Sequence, residues 1–116
     1  MALIEVRDYH YDPDRMDDYR RWAAEAGPWL RERWNMAGFW IDSGQEGQLF
    51  GADPQPSPHG PANVTWTIRW SDRAERDAAW ESLWEDDEWN DLWTRHPGFE
   101  GYRQLSVRFL EEAEAR

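Results

Sequence analysis

A chain of 116 residues with 24 acidic against 13 basic side chains carries a net charge of −11 and fits one domain with a modest core. That charge argues against a nucleic-acid partner, and no apolar run reaches the ~18 residues needed to cross a bilayer, so no nucleic acid and no membrane is expected. Cysteine and lysine are both missing, which removes disulfides, thiolate nucleophiles, cysteine-based zinc sites and Schiff-base chemistry.

The first strand is expected at Leu3 to Tyr11, with Leu3, Glu5, Arg7 and Tyr9 on one face and Ile4, Val6, Asp8 and His10 on the other. Asp12-Pro13 reads as a cap and first helical position, and Met16, Tyr19, Ala23 and Ala26 form one apolar stripe of the helix that follows. Gly27-Pro28 is expected to break or kink it, with Trp29 to Asn35 adding one or two turns. A second strand is read at Gly38 to Asp42. From Gln45 to Pro61 glycine and proline forbid regular structure, so a flexible lid or dimer-wrapping arm is expected there. Val64 to Trp70 is the third strand, and Asp72 caps a second helix through Trp84. The acidic run Glu85 to Glu88 interrupts that helix, and a short helical piece, Trp89 to Arg95, ends at His96-Pro97-Gly98. Tyr102 to Phe109 is the last strand, before a charged tail over 111–116.

The order β-α-β-β-α-β is that of the ferredoxin-like α+β class: a four-stranded antiparallel sheet with two helices on one face. The other face is left bare. It is expected to carry large apolar side chains such as Leu3 and Trp66 as well as arginine, and a second copy can cover it sheet to sheet. A homodimer is therefore expected. Ten tryptophans are more than a domain of this size can hide, so some should line a cavity or an interface.

Several segments resemble NIPSNAP-type domains. Glu5-Val6-Arg7-Asp8-Tyr9 is similar to that family's opening strand and Gly38-Phe39-Trp40 to its second. The run from Asn63 to Arg76 is similar to its third strand and following helix start, and Asp87-Glu88-Trp89 to the close of its second helix. The resemblance covers roughly residues 3–109 and implies a dimeric α+β barrel domain over 1–110, an architecture shared with small monooxygenases, isomerases, dehydratases and haem proteins. It brings no assigned reaction. The proline-rich stretch Asp53 to Pro61 departs from the family as an insertion, and the tryptophan load is heavier.

Arg7 and Tyr9, at i and i+2, are the first candidates for catalysis, since a guanidinium can hold an oxyanion and a phenol can donate a proton. The opposing reading is a structural network in which Glu5 and Arg7 pair with cross-strand arginines such as Arg69 or Arg108. Asp42, expected near Arg69, or Glu5 is the candidate base. Glu5, Trp40, Trp66, Arg69 and Trp70 are the candidate substrate contacts, while Trp80, Trp84, Trp89 and Trp93, at helical spacing, are read as core or interface. No histidine spacing suggests a metal site, and no cofactor is expected. Any of His10, His59 and His96 could serve as an axial ligand if haem binds, with His59 the first candidate and His10 second.

The functional expectation is a pocket for a small apolar or aromatic molecule, with cofactor-independent oxygenase or isomerase/cyclase chemistry. The alternatives are haem binding and a non-enzymatic interaction module that uses exposed tryptophans. The opening residues show no basic stretch followed by an apolar one, so a cytoplasmic location is expected.

Overall fold

The computed structural model describes residues 2–114; Met1 and the last two residues of the expected tail lie outside them. Four strands, β1 (Leu3–Tyr11), β2 (Met36–Ile41), β3 (Val64–Trp70) and β4 (Tyr102–Leu110), form one sheet in the order β2-β3-β1-β4. Every neighbouring pair is antiparallel. Three helices, α1 (Met16–Arg33), α2 (Arg73–Leu83) and α3 (Asp87–Trp93), complete the ferredoxin-like arrangement. None of them is long and apolar enough to cross a membrane.

The helix ends follow from the acidic residues. Asp72 accepts the Glu75 N–H at 2.8 Å and starts α2. Asp86 accepts from Glu88 and Trp89 and starts α3, so Asp87 and Glu88 of the acidic run open a helix two residues ahead of its expected start. Carboxylates there also meet the positive end of the helix dipole.

Helix α1 removes the first of two expectations, a break at Pro28, because it runs through that residue to Arg33. A proline inside a helix costs about 3 kcal/mol. Here Tyr19, Trp22, Ala23 and Ala26 before it and Leu30 after it are buried on one stripe. Each large apolar side chain so buried contributes about 1.5–3 kcal/mol, which keeps both halves docked.

Strand parity produces a second correction. Arg7 pairs with Trp66, Glu5 with Ile68 and Leu3 with Trp70, so these side chains share one face. Val64, Trp66, Ile68 and Trp70 are buried in the core on that face, with the helices above it. Leu3 and Trp66 therefore do not reach the bare face, because the more apolar set of β3 goes to the core. The bare face carries Ile4, Val6, Asp8, His10, Thr65, Thr67 and Arg69, and a single large aromatic, Trp40, 52% exposed and folded over Gly38.

Residues 45–61 contain no helix or strand, and Leu49 and Phe50 in them are exposed. The return of this segment is pinned where His10 Nε2 meets the Gly60 carbonyl at 2.9 Å. The Asn63 side chain closes it, accepting from Tyr11 N and donating to Tyr11 O.

Candidate functional site

The alternation of β1 drives a carboxylate into the core. Glu5 is fully buried and receives five N–H donors: Trp70 Nε1, Trp80 Nε1 and Arg76 Nε on Oε1, and Arg7 Nη1 and Arg76 Nη2 on Oε2. Burial pulls its pKa upward, but the hydrogen bonds from Arg76, Arg7 and Trp70 and the Arg7 charge outweigh this and hold it below the ordinary value. A carboxylate so occupied is a poor base and a firm anchor. Its second arginine partner, beside Arg7, comes from α2 and not from the neighbouring strands: Arg69 pairs with Glu112 at 2.7 Å and Arg108 with Asp8 at 3.5 Å.

Anchored by Glu5, Arg7 reaches along the strand. Its Nε donates to Tyr9 Oη, and its guanidinium stands 4.3 Å from the centre of the Trp80 ring. Trp66 Nε1 also donates to Tyr9 Oη, at 2.9 Å. The phenol oxygen thus accepts two hydrogen bonds, and its own proton remains free to donate. Burial pushes the Tyr9 pKa up, only partly offset by Arg7, so the phenol stays protonated at neutral pH.

Arg7, Tyr9 and Trp66 line a cavity of about 110 Å³ between sheet and helices, together with side chains of every helix and of β4. Its walls are mostly aromatic, with Trp22, Trp80 and Trp89 among them. Trp84, Phe99 and Leu105 also line it and are 49%, 63% and 39% exposed, which marks its mouth.

A second polar chain ends at this cavity. The turn His96-Pro97-Gly98 depends on a glycine at φ +128°, and the Gly98 N–H donates to His96 Nδ1 at 2.9 Å. Nε2 therefore carries the imidazole proton and donates to Tyr102 Oη at 2.8 Å. Tyr102 in turn donates to Tyr19 Oη at 3.2 Å. Burial lowers the His96 pKa to about 4 and raises those of Tyr19 and Tyr102 well above the ordinary phenol value. All three side chains are neutral at pH 7.

The other sequence candidates fall elsewhere. Trp70 is buried against Glu5, and Trp40 lies on the bare face. Asp42 and Arg69 are exposed at opposite ends of the β2–β3 pair, since Asp42 N bonds Asn63 O while Arg69 N bonds Asn35 O. Six residues along a strand place them about 20 Å apart. His59 is exposed in the long loop, its ring 5.8 Å from that of His10, and neither histidine lines the cavity. Sequence reading missed Tyr19, Arg76, Trp80, Trp89 and Tyr102 as site residues, and weighed His96 only as a candidate haem ligand. For Trp80 and Trp89 the helical spacing pointed to a core face; for His96 the glycine two residues on was a cue to a tight turn.

No family profile matches the sequence, and no curated protein does. Solved structures do match. A NIPSNAP family protein from Agrobacterium tumefaciens superposes with a TM-score of 0.71 at 17% identity, over 97% of this chain and 87% of that one. A candidate antibiotic biosynthesis monooxygenase from Bordetella bronchiseptica gives 0.57 at 15% identity, over 97% and 98%. A dimeric ferredoxin-like protein from Jannaschia gives 0.53 at 15% identity, over 97% and 100%. At these identities the likeness is one of fold, and the fold of this chain is that of a NIPSNAP-type domain of the ferredoxin-like α+β class.

Proposed function

We propose that this chain, as a homodimer, binds a small, largely apolar or aromatic molecule between its sheet and helices, and that the site supports cofactor-independent oxygenase or isomerase/cyclase chemistry. The observation that carries the reading is an aromatic-walled cavity with Arg7 and Tyr9 in its wall. A few converging polar groups among apolar walls are the usual make-up of a ligand pocket. The size sets the ligand. Drug-sized ligands occupy about 300–1,000 Å³, whereas an apolar cavity of about 150 Å³ holds one benzene ring. At about 110 Å³ this cavity suits a single ring better than a haem macrocycle.

The bare sheet face supports the dimer, as does the likeness to the dimeric Jannaschia protein. The likeness to the Bordetella protein supports the oxygenase branch.

The test is a thermal-shift and tryptophan-fluorescence titration with single-ring and multi-ring aromatics. A single-ring ligand at a hundred times its Kd should stabilise the fold by about 2.7 kcal/mol, while larger polycycles leave it unmoved. Failure of every single-ring compound to shift either signal overturns the reading.

A further inference from the structure

We propose that the cavity takes its ligand as an oxyanion, a single-ring phenolate or enolate whose oxygen sits on the Tyr9 hydroxyl and the Arg7 guanidinium. This rests on the pocket reading above and adds the charge and chemical class of the occupant.

The first ground is the polar inventory. The side chains lining the cavity include no carboxylate, amide, aliphatic hydroxyl or imidazole. What they offer are donors. Tyr9 Oη already accepts from Arg7 and Trp66, so its O–H must point to an acceptor elsewhere. Tyr19 Oη accepts from Tyr102 and likewise keeps its own proton to give. The free protons of Tyr9 and Tyr19 favour a ligand rich in acceptors over a plain hydrocarbon.

The second ground is charge. Buried Glu5 is shared between Arg7 and Arg76, two guanidiniums on one carboxylate. Asp77 at 3.1 Å offsets Arg76 in part, but it is exposed and is shared with Arg73 at 2.9 Å. The cluster of three arginines and two carboxylates carries one excess positive charge; Arg7 is its member in the cavity wall, while Arg73 and Asp77 are exposed. In a chain of net charge −11 that local sign is opposite to the whole. A monoanion in the cavity balances it.

The third ground is the absence of a proton acceptor. His96 already receives the Gly98 N–H on Nδ1 and presents a proton, not a lone pair, toward Tyr102. The chain His96, Tyr102, Tyr19 therefore donates toward the cavity and cannot take a proton from it without turning over. Glu5 is filled by five donors. The ligand must then arrive already ionised, or give its proton to water on entry, which selects hydroxyl compounds acidic enough to ionise near neutral pH.

The test uses 4-nitrophenol, whose phenolate absorbs in the visible, and nitrobenzene, the same ring without the hydroxyl. Spectrophotometric pH titration of 4-nitrophenol with excess protein should show its apparent pKa lowered by about one unit or more, equivalent to phenolate held about tenfold tighter than phenol. Nitrobenzene should bind more weakly than the phenolate by at least about tenfold. Tyr9→Phe should abolish most of the pKa displacement. If that variant does not fold, the wild-type titration alone decides. Binding of 4-nitrophenol with an unchanged or raised pKa, or equal binding of nitrobenzene, overturns the oxyanion proposal and leaves the pocket reading standing. If neither probe binds, both fall.

Discussion

Arg7 and Arg76 grip the same carboxylate unequally. Arg76 donates to both Glu5 oxygens and Arg7 to one. Removing one partner of a buried pair costs about 3–5 kcal/mol when the other is left bare. Arg7→Leu leaves Glu5 with Arg76 and two indole N–H groups, so its cost should fall nearer the 1.5–3 kcal/mol of one charge-assisted hydrogen bond. Arg76→Leu should cost more. Urea denaturation of both variants checks the order, and a larger loss for Arg7→Leu would contradict the asymmetry. His96 makes a second residue-scale prediction. The unfolded imidazole takes up a proton below its ordinary 6.5, while the folded one stays neutral until about 4. Stability is therefore full above pH 6.5 and declines as the pH falls from 6.5 to 4, by on the order of 2 kcal/mol given the partial exposure of the ring. The Glu5 contribution, from a pKa held below its ordinary 4.5, is lost only at lower pH. His96→Gln should flatten the stability profile between pH 6.5 and 4 and leave the more acidic limb in place.

At the scale of elements, what was legible in the sequence was whatever local chemistry dictates. β1 and β3 begin and end where expected, β3 alternates in burial as its sequence does, and Asp72 caps α2 as its spacing with Glu75 implies. Two readings failed for the same reason, that tertiary packing overrides a local signal. Pro28 sits inside α1 because Leu30 beyond it is held in the core. Leu3 and Trp66 turn inward because the sheet commits one parity of each strand to the helices. Of the candidate site, Arg7, Tyr9 and Trp66 could be found because they lie on strands of known parity. Tyr19, Trp89 and Tyr102 could not, since they reach the cavity only when α1, α3 and β4 are docked. Helix α3 is short, and its cap carries weight accordingly. Asp86→Ala removes the acceptor for two backbone N–H groups and should cost about 1 kcal/mol. Because Trp89 and Trp93 reach the cavity from α3, single-ring ligands should also bind more weakly to this variant in the fluorescence titration.

For the whole molecule, the two faces of the sheet divide the work. The helix face holds the cavity, while the other presents Trp40 and Leu110, 52% and 41% exposed, beside Arg69 and Arg108. The long loop belongs to this second face, since its return is fixed to His10, whose side chain points away from the cavity. That placement favours an arm that embraces a second copy over a lid on the ligand site. Leu49 and Phe50, 61% and 82% exposed, are the loop side chains such an embrace would cover. Deleting Asp53 to Pro58 leaves the anchors at Gly60 and Asn63 in place, so unfolding should stay cooperative and ligand affinity should stay within about twofold. The monomer–dimer equilibrium, in contrast, should shift toward monomer. Trp40→Glu should shift it further, because it sets a charge in place of the one large exposed aromatic that the β2 edge offers to a second copy. Light scattering at micromolar concentration should report a dimer for the native chain and a monomer for Trp40→Glu, with ligand binding retained in both. A native chain that scatters as a monomer would leave Trp40 and the loop apolar groups without a covering partner and would overturn the dimer. A Trp40→Glu variant that stays dimeric would move the interface off this face.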